Sequence, residues 1–481
     1  MEILPSRQIK PMLERYGSPL YVYNEAILEN NITRLRQAFP QARLYHFTPS
    51  NRCPGILRIM RRHMEGMTAT TPLGAQRALR YFSAPQVIVS GSNYSRTDFL
   101  TLLAVRGLRI NCNSLEELRQ VAQLQPGRGV GVRIDTGVKA RVYAKEGEMD
   151  ITLAQVAALA SIDVKIEMIH CYAGTAQSNH NLVDSANTLC ETVLRYPQVF
   201  AHLKAINIAG GIEFDDLTGT FPDVADYGKQ VSALIENLQA RLGRPLHLIL
   251  EPGRIIMAST ASLYCHINQV YEKSGQPMIG IDATRFQFGD LSKFGKLDED
   301  ASFAIGLYDE HGTLITHFPE QCAGTVALGI HGNTHYSKDR VKGVFVYPED
   351  IPRLRGGLFE IKYAGAYASS MTSAWADREM PAEVLYTAQG KITVLELRQH
   401  VRDVILSRIE KAQRGLRHGT LAATVAGLLA GGVFMLGNGA DNHRETSNTR
   451  VQLNAYAPAP RVEETLTPLP AAQLTHKINY E

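Results

Sequence analysis

Two short stretches carry residue types suited to gripping an anion. In "INIAGGIEF" the pair Gly210 and Gly211 leaves backbone N–H groups open, because a residue without Cβ lets a negatively charged group approach the main chain. In "LILEPGRII" Glu251 is followed by Gly253 and Arg254, and a guanidinium can form a two-pronged pair with phosphate oxygens. A lone Gly-Gly more often marks a plain turn. Followed one predicted strand later by Glu-Pro-Gly-Arg, it becomes a phosphate-binding pattern.

These residues need a scaffold, and the chain from Leu20 to Arg254 supplies one by alternating short β-branched runs with helical patterns. Eight strands are predicted, at 43–48, 66–69, 86–89, 108–112, 129–134, 164–170, 204–209 and 246–250. Eight parallel βα units close an α/β barrel of the TIM (β/α)8 type, whose sites lie at the C-terminal strand ends, with phosphate commonly bound after strands seven and eight. Both anion patterns fall there. Ser114, with Glu117 three residues later, predicts a capping box at the start of one of the intervening helices. Glu251, at the mouth end of strand eight, reads either as an ion-pair partner of Arg254 or as a carboxylate that bonds the ring nitrogen of a pyridine cofactor and keeps it protonated. Its position favours the second reading. The first strand ends in "YHFTPSN", which places Thr48 at the mouth, where a threonine cannot do what a lysine can.

After Arg254 the pattern becomes strand-rich, with turn residues and few helices, so a C-terminal antiparallel β domain is expected. The expected organisation is residues 1–23 contributing "PLYVYN" to the β domain, a barrel at 24–254, the β domain at 255–405 and an appended segment at 406–481.

Composition narrows the function classes. The 481 residues are 44% apolar and 20% charged with a net charge of +3, which gives no reason to expect nucleic acid as a partner. Six cysteines without a C-x-x-C pair argue against zinc and a disulfide framework, and a reduced cytoplasmic setting follows. The N-terminus does not resemble a secretory signal. The uncharged stretch at 421–437 is shorter than the roughly 20 apolar residues of a spanning helix. Packing on this protein or a partner is favoured over membrane contact, and the polar, Pro-rich stretch after it reads as a disordered tail.

The chain resembles the fold-type III, alanine-racemase-like, pyridoxal-phosphate-dependent decarboxylases, closest to the diaminopimelate, ornithine and arginine decarboxylase group. The motifs that carry this are "SLEEL" (114–118), "INIAGGIEF", "LILEPGR" and "AGAYASSMTSAWADREMPAEVL" (364–385). The resemblance implies pyridoxal 5'-phosphate as cofactor, with its phosphate held by Gly210, Gly211, Arg254 and Tyr367, Gly253 also in the cofactor site, Glu251 facing the pyridine nitrogen and Arg133 near the ring. It also implies an amino-acid substrate and a homodimer in which each site borrows residues from the partner.

The departures from the family pattern bear on activity. Where the family has a Tyr-Ala-Val-Lys-Ala-Asn type motif whose lysine joins the cofactor aldehyde as a Schiff base, Thr48 takes the lysine's place. Tyr172 in "HCYAGT" replaces a histidine that stacks on the ring, and Gly332 in "GIHGNTHYSKD" stands in for the cysteine of the "CESGD" box. Gly74 stands for a glutamate after strand two. Lys165 and Lys204 lie about 17 Å before the mouth at roughly 3.3 Å per residue, while Lys139 and Lys362 have no motif to support them. The expected function is a homologue that binds pyridoxal 5'-phosphate or a similar phosphorylated ligand, non-covalently in the absence of the lysine, and is catalytically impaired. Two alternatives stay open: modified chemistry with Tyr172, His331 or His335 as acid or base, and an active decarboxylase of a basic amino acid with an unrecognised lysine.

Overall fold

The barrel strands form where short apolar or β-branched runs are bounded by turn residues. The computed structural model describes residues 3–138, 150–174, 179–215, 218–288, 304–341, 344–398 and 406–407, all within a compact unit spanning Met1–Leu421. The first eleven strands are β1 Leu20–Asn24, β2 Arg43–Phe47, β3 Gly66–Ala69, β4 Val87–Val89, β5 Arg109–Cys112, β6 Arg128–Asp135, β7 Ile151–Thr152, β8 Val164–His170, β9 Ala205–Asn207, β10 His247–Leu250 and β11 Ala261–Lys273. All the barrel pairings are parallel, in the order β5-β4-β3-β2-β10-β9-β8-β6, and β5 also pairs with β6, so the sheet closes on itself. The two-residue β7 pairs with the end of β6 outside this ring, and it is too short to leave a periodic signal in the sequence.

Strand alternation sorts the residues of the barrel into two faces. Tyr45, Ile88, Met168, Ala205 and Ile249 form one buried cluster on the barrel axis. Their neighbours of opposite parity, such as Leu44, Val89, Ile110, Ile169 and Leu250, join the large core beneath the helices. Toward the C-terminal ends the axial face carries Thr68, Asn111, Arg133, His170 and Asn207, as the register pairs Phe47 with Thr68, Arg133 with His170 and His170 with Asn207. An apolar floor thus supports a polar rim.

The helices are capped locally. Asn24 accepts a hydrogen bond from Ile27 N–H at 3.2 Å to start the helix Glu25–Ala38, and Gly243 at φ +63° ends the helix Ala225–Leu242. Ser114 caps the helix Leu115–Leu124 through Glu117 N–H at 3.1 Å. Only half of the expected box forms. The Glu117 carboxylate accepts instead from Asn113 N–H at 2.7 Å and Tyr94 N–H at 3.5 Å, because it is buried against the barrel end where those donors lie.

The second sheet is mainly antiparallel. β1 lies between β11, antiparallel to it, and Ala382–Tyr386, parallel to it, while β11 also pairs with Leu358–Ile361 and Gln276–Ile281. The barrel is therefore inserted between two strands that sit side by side, and this fixes one end of it against the β domain. Among the described residues no helix is long and apolar enough to cross a membrane. The stretch at 421–437 and the tail after it lie outside the described residues.

Gly228 marks the closest approach of two outer helices, since a Cβ there would lie 1.9 Å from the Ala38 carbonyl oxygen. Gly228→Ala is expected to destabilise the fold by about 1–3 kcal/mol through overpacking, read as a lower urea midpoint.

Candidate active site at the barrel mouth

The exit of the first barrel strand is held rigidly. Thr48 opens the 3-10 turn Thr48–Ser50, is 3% exposed, and its hydroxyl has no hydrogen-bond partner among the described residues. Ser50 O accepts from Tyr367 N–H at 2.6 Å, and Arg52 N–H donates to Ser370 Oγ at 3.2 Å. Asn51 is the pin of the turn. Its Nδ2 donates to Tyr23 Oη at 2.9 Å and to Gly365 O at 3.1 Å, and its Oδ1 accepts from Cys53 N–H at 3.0 Å. Its carbonyl lies 2.9 Å from His46 Nε2, and burial holds that imidazole's pKa down at about 4, so the neutral ring donates from Nε2. Tyr23 Oη in turn donates to Glu383 at 2.8 Å, and burial pushes this carboxyl up to about 7.

The described lysines lie elsewhere. Lys165 and Lys204 are exposed near the N-terminal ends of β8 and β9, and Lys204 Nζ pairs with Glu167 at 2.6 Å. Lys362 is half-buried just beyond the β-domain strand Leu358–Ile361, and Lys139 lies outside the described residues.

The other strand ends converge on one mouth. Arg133 Nε donates to Asp150 at 2.9 Å, and its guanidinium carbon lies 5.4 Å from the centre of the Tyr172 ring. Gly211, at φ +85°, sits where a Cβ would lie 2.1 Å from Gly174 O and 3.7 Å from the Tyr172 ring. A Cβ on Gly210 would lie 2.7 Å from Glu251 O, so both glycines are required by close backbone approach. Glu251 is 5% exposed and accepts from Asn207 Nδ2 at 2.6 Å. Burial raises its pKa, against the Asn207 hydrogen bond and the Arg133 charge, which lower it. Such a carboxylate in a dry setting favours a cationic neighbour.

Gly253, Arg254 and Tyr367 form the next part of the rim. The Arg254 guanidinium carbon stands 5.2 Å from the centre of the Tyr367 ring, and a Cβ on Gly253 would lie 3.1 Å from Tyr367 Oη. Tyr367 is held at φ +63°, a left-handed conformation that keeps it turned back onto Ser50. Gly332 is joined to other groups. Its N–H donates to Asp339 O at 2.9 Å, and a Cβ would lie 2.3 Å from the Asp339 carboxylate. That carboxylate is occupied by Arg285 N–H and Thr334, so the loop's hydrogen bonds run within the β domain. His331 is half-buried and His335 exposed on the same loop. Gly74 lies in the first turn of the helix Pro72–Ala78, its N–H bonded to Thr71 Oγ1 at 3.0 Å.

Around this mouth Thr48 Oγ1, Asn111 Oδ1, Asn113 Oδ1 and His170 Nε2 are buried without a hydrogen-bond partner among the described residues. Buried polar atoms are rarely left so, and the set marks a place completed by a polar ligand or ordered water. A phosphorylated pyridine fits the donors present: glycines open to an anion, an arginine beside them and a buried carboxylate for a ring nitrogen. Residues 25–258 match the family model described as pyridoxal-dependent decarboxylase, pyridoxal binding domain. Over that stretch the chain is similar to the pyridoxal-dependent decarboxylases. It is 26% identical to a diaminopimelate decarboxylase of Methanothermobacter thermautotrophicus over 82% of this chain and 92% of that one. The corresponding protein of Escherichia coli strain K12 is 24% identical over 81% and 93%. The fold matches the crystal structure of diaminopimelate decarboxylase from Helicobacter pylori complexed with L-lysine, with a TM-score of 0.68 at 19% identity over 84% of this chain and 99% of that one. A lysine/ornithine decarboxylase from Vibrio vulnificus, complexed with putrescine, matches with a TM-score of 0.64 at 16% identity over 79% and 97%.

Asn207, His170, Asn111 and Asp150 are site neighbours that the sequence reading missed. The only signal for the first three was a polar residue at or next to the C-terminal end of a barrel strand.

Gly211→Ala is expected to weaken inorganic phosphate binding by about tenfold or more, measured by calorimetry, because a Cβ at φ +85° clashes with Gly174 O and pushes the loop amides out of place. Glu383 gives a pH signature. Its carboxyl binds a proton more tightly in the folded chain than in the unfolded one, so its contribution to stability is present at low pH and is lost as pH rises from 4.5 to about 7. Glu383→Gln should flatten the fall in Tm across that window.

Proposed function

We propose that this protein binds pyridoxal 5'-phosphate, or a closely related phosphorylated pyridine, non-covalently at the barrel mouth and is impaired as an amino-acid decarboxylase. The observation that carries this is Thr48, rigidly held at the strand end where the family's lysine stands. Gly210, Gly211, Gly253, Arg254 and Tyr367 hold the phosphate in this reading. Glu251, fixed by Asn207, keeps the ring nitrogen protonated, and Tyr172 lies along the ring in place of the histidine. When bound, the cofactor supplies an electron sink for the charge left by a departing carboxylate. The chain's own groups do less than the family's. The Thr48 hydroxyl is too short and too weakly acidic to exchange an incoming amine or carry its proton without an activating base. The Asp339 carboxylate stands where a side chain at Gly332 would begin, so that position contributes no thiol. A homodimer in a reducing compartment belongs to this reading, in keeping with the family and with cysteines that are unpaired in the structure. A regulatory or ligand-holding role follows from retained binding without turnover.

The second reading is an active decarboxylase of diaminopimelate or another basic amino acid that uses another lysine or a modified mechanism. The names of the relatives favour it, and the segments at 139–149 and 289–303, outside the described residues, contain lysines.

Absorbance spectra with borohydride treatment separate the two. The protein as it stands should release its cofactor on dialysis, give no borohydride-stable adduct and release no carbon dioxide from diaminopimelate, ornithine, lysine or arginine. Thr48→Lys should make the adduct form on the new side chain, with activity still well below that of a full decarboxylase. A borohydride-stable adduct on any lysine of the unaltered chain establishes the second reading instead.

A further inference from the structure

His170 closes β8, on the axial face two residues beyond Met168 of the apolar floor and two residues before Tyr172. It is 2% exposed, and its register partners are Arg133 on one side and Asn207 on the other. It therefore stands between two groups of the proposed site, one of which holds Glu251. Asn111 Nδ2 lies 3.0 Å from its Nδ1 and Ser90 Oγ lies 3.4 Å away. An amide nitrogen can only donate, so Nδ1 is the acceptor and the ring proton sits on Nε2. Burial, with the nearby Arg133 charge, holds the pKa well below its usual value and keeps the ring neutral. Nε2 is buried and has no hydrogen-bond partner among the described residues. Asn111 and Ser90 thus fix the ring with one oriented donor left over.

We propose that His170 is a ligand-binding residue of the barrel mouth, donating from Nε2–H to an acceptor atom on the aromatic ring of the bound molecule. This rests on the reading above that a phosphorylated pyridine occupies the mouth. The phosphate cradle at Gly210, Gly211 and Arg254 anchors one end of the ligand. His170, set deeper than Tyr172 on the same strand face, reads the ring, so it separates ligands that carry a ring acceptor from those that offer only a phosphate. Asn111 acts as a positioning residue that sets the tautomer.

The test uses the full chain with nitrogen-15-labelled histidine, the His170 signals being assigned by their loss in His170→Gln. Two-bond proton–nitrogen spectra of the free protein should show the Nε2–H tautomer. Pyridoxal 5'-phosphate should shift the His170 Nε2 resonance, whereas inorganic phosphate should leave it in place. His170→Phe should raise the Kd for pyridoxal 5'-phosphate by about 10- to 100-fold, with the Kd for inorganic phosphate unchanged. His170→Gln, which restores an amide donor, should recover most of the loss. If pyridoxal 5'-phosphate binds while the His170 signals stay still, or if His170→Phe binds it as tightly as the unaltered chain, the role assigned to His170 is wrong. If His170→Phe does not fold, the resonances of the unaltered protein decide. If that protein binds inorganic phosphate but not pyridoxal 5'-phosphate, both this inference and the reading beneath it fall.

Discussion

Closure of the eight-stranded ring through the β5–β6 pairing turns every second strand residue toward a common axis, and the site depends on what that axis carries. Over a step of two residues the interior changes from Met168, Ile249 and Ala205 to His170, Glu251 and Asn207. Polar groups in so confined a space must bond one another or something bound. The Asn207–Glu251, Asn111–His170 and Arg133–Asp150 pairs are the outcome. The same confinement raises the pKa of Glu251 and lowers that of His170, which moves both toward their neutral forms. Charge is retained at Arg133, whose partner Asp150 follows the strand at the edge of the mouth.

A second constraint acts at the exit of β2. The turn at Thr48–Ser50 is tied to the β domain by Asn51, by the Ser50–Tyr367 bond and by the bond from Arg52 to Ser370. Because β1 and β11 are neighbours in the β-domain sheet, the barrel begins and ends against the surface that these bonds hold. The backbone of the strand-one exit is therefore preserved independently of the side chain at position 48. Scaffold and nucleophile are separable here: the turn keeps its shape because the amides of Asn51, Arg52 and Tyr367 are satisfied, and none of those bonds involves the Thr48 hydroxyl.

The glycine end of the mouth rests on backbone proximity. Gly210 and Gly211 pass so close to Glu251 O and Gly174 O that side chains are excluded. Gly332 is confined in a different way, against the Asp339 carboxylate that also accepts from Arg285 and Thr334. Restoring a thiol there would require that network to move. The two positions are thus unlike: Thr48 is a side chain on a held backbone, while Gly332 is packed into the hydrogen-bonded loop around Asp339.

Much of the fold was legible because periodicity is a local property. The strands at 66–69 and 164–170 match the observed β3 and β8, and the others differ by one or two residues at their ends. Gly210, Gly211, Glu251 and Arg254 could also be found in the chain, since fold rules place anion groups after the seventh and eighth strands. Three-residue spacing makes Glu117 half of a capping box in the sequence and cannot reveal that Asn113 and Tyr94 offer nearer donors. The chain by itself determined the alternation of strand and helix, the residue types at each strand end and the threonine at position 48. Only the tertiary structure decided that His170 faces Asn111, that Glu251 is bonded to Asn207 and that Tyr367 closes on Ser50. Those contacts join residues from separate strands, and their existence depends on closure and stagger of the sheet, which no local stretch encodes.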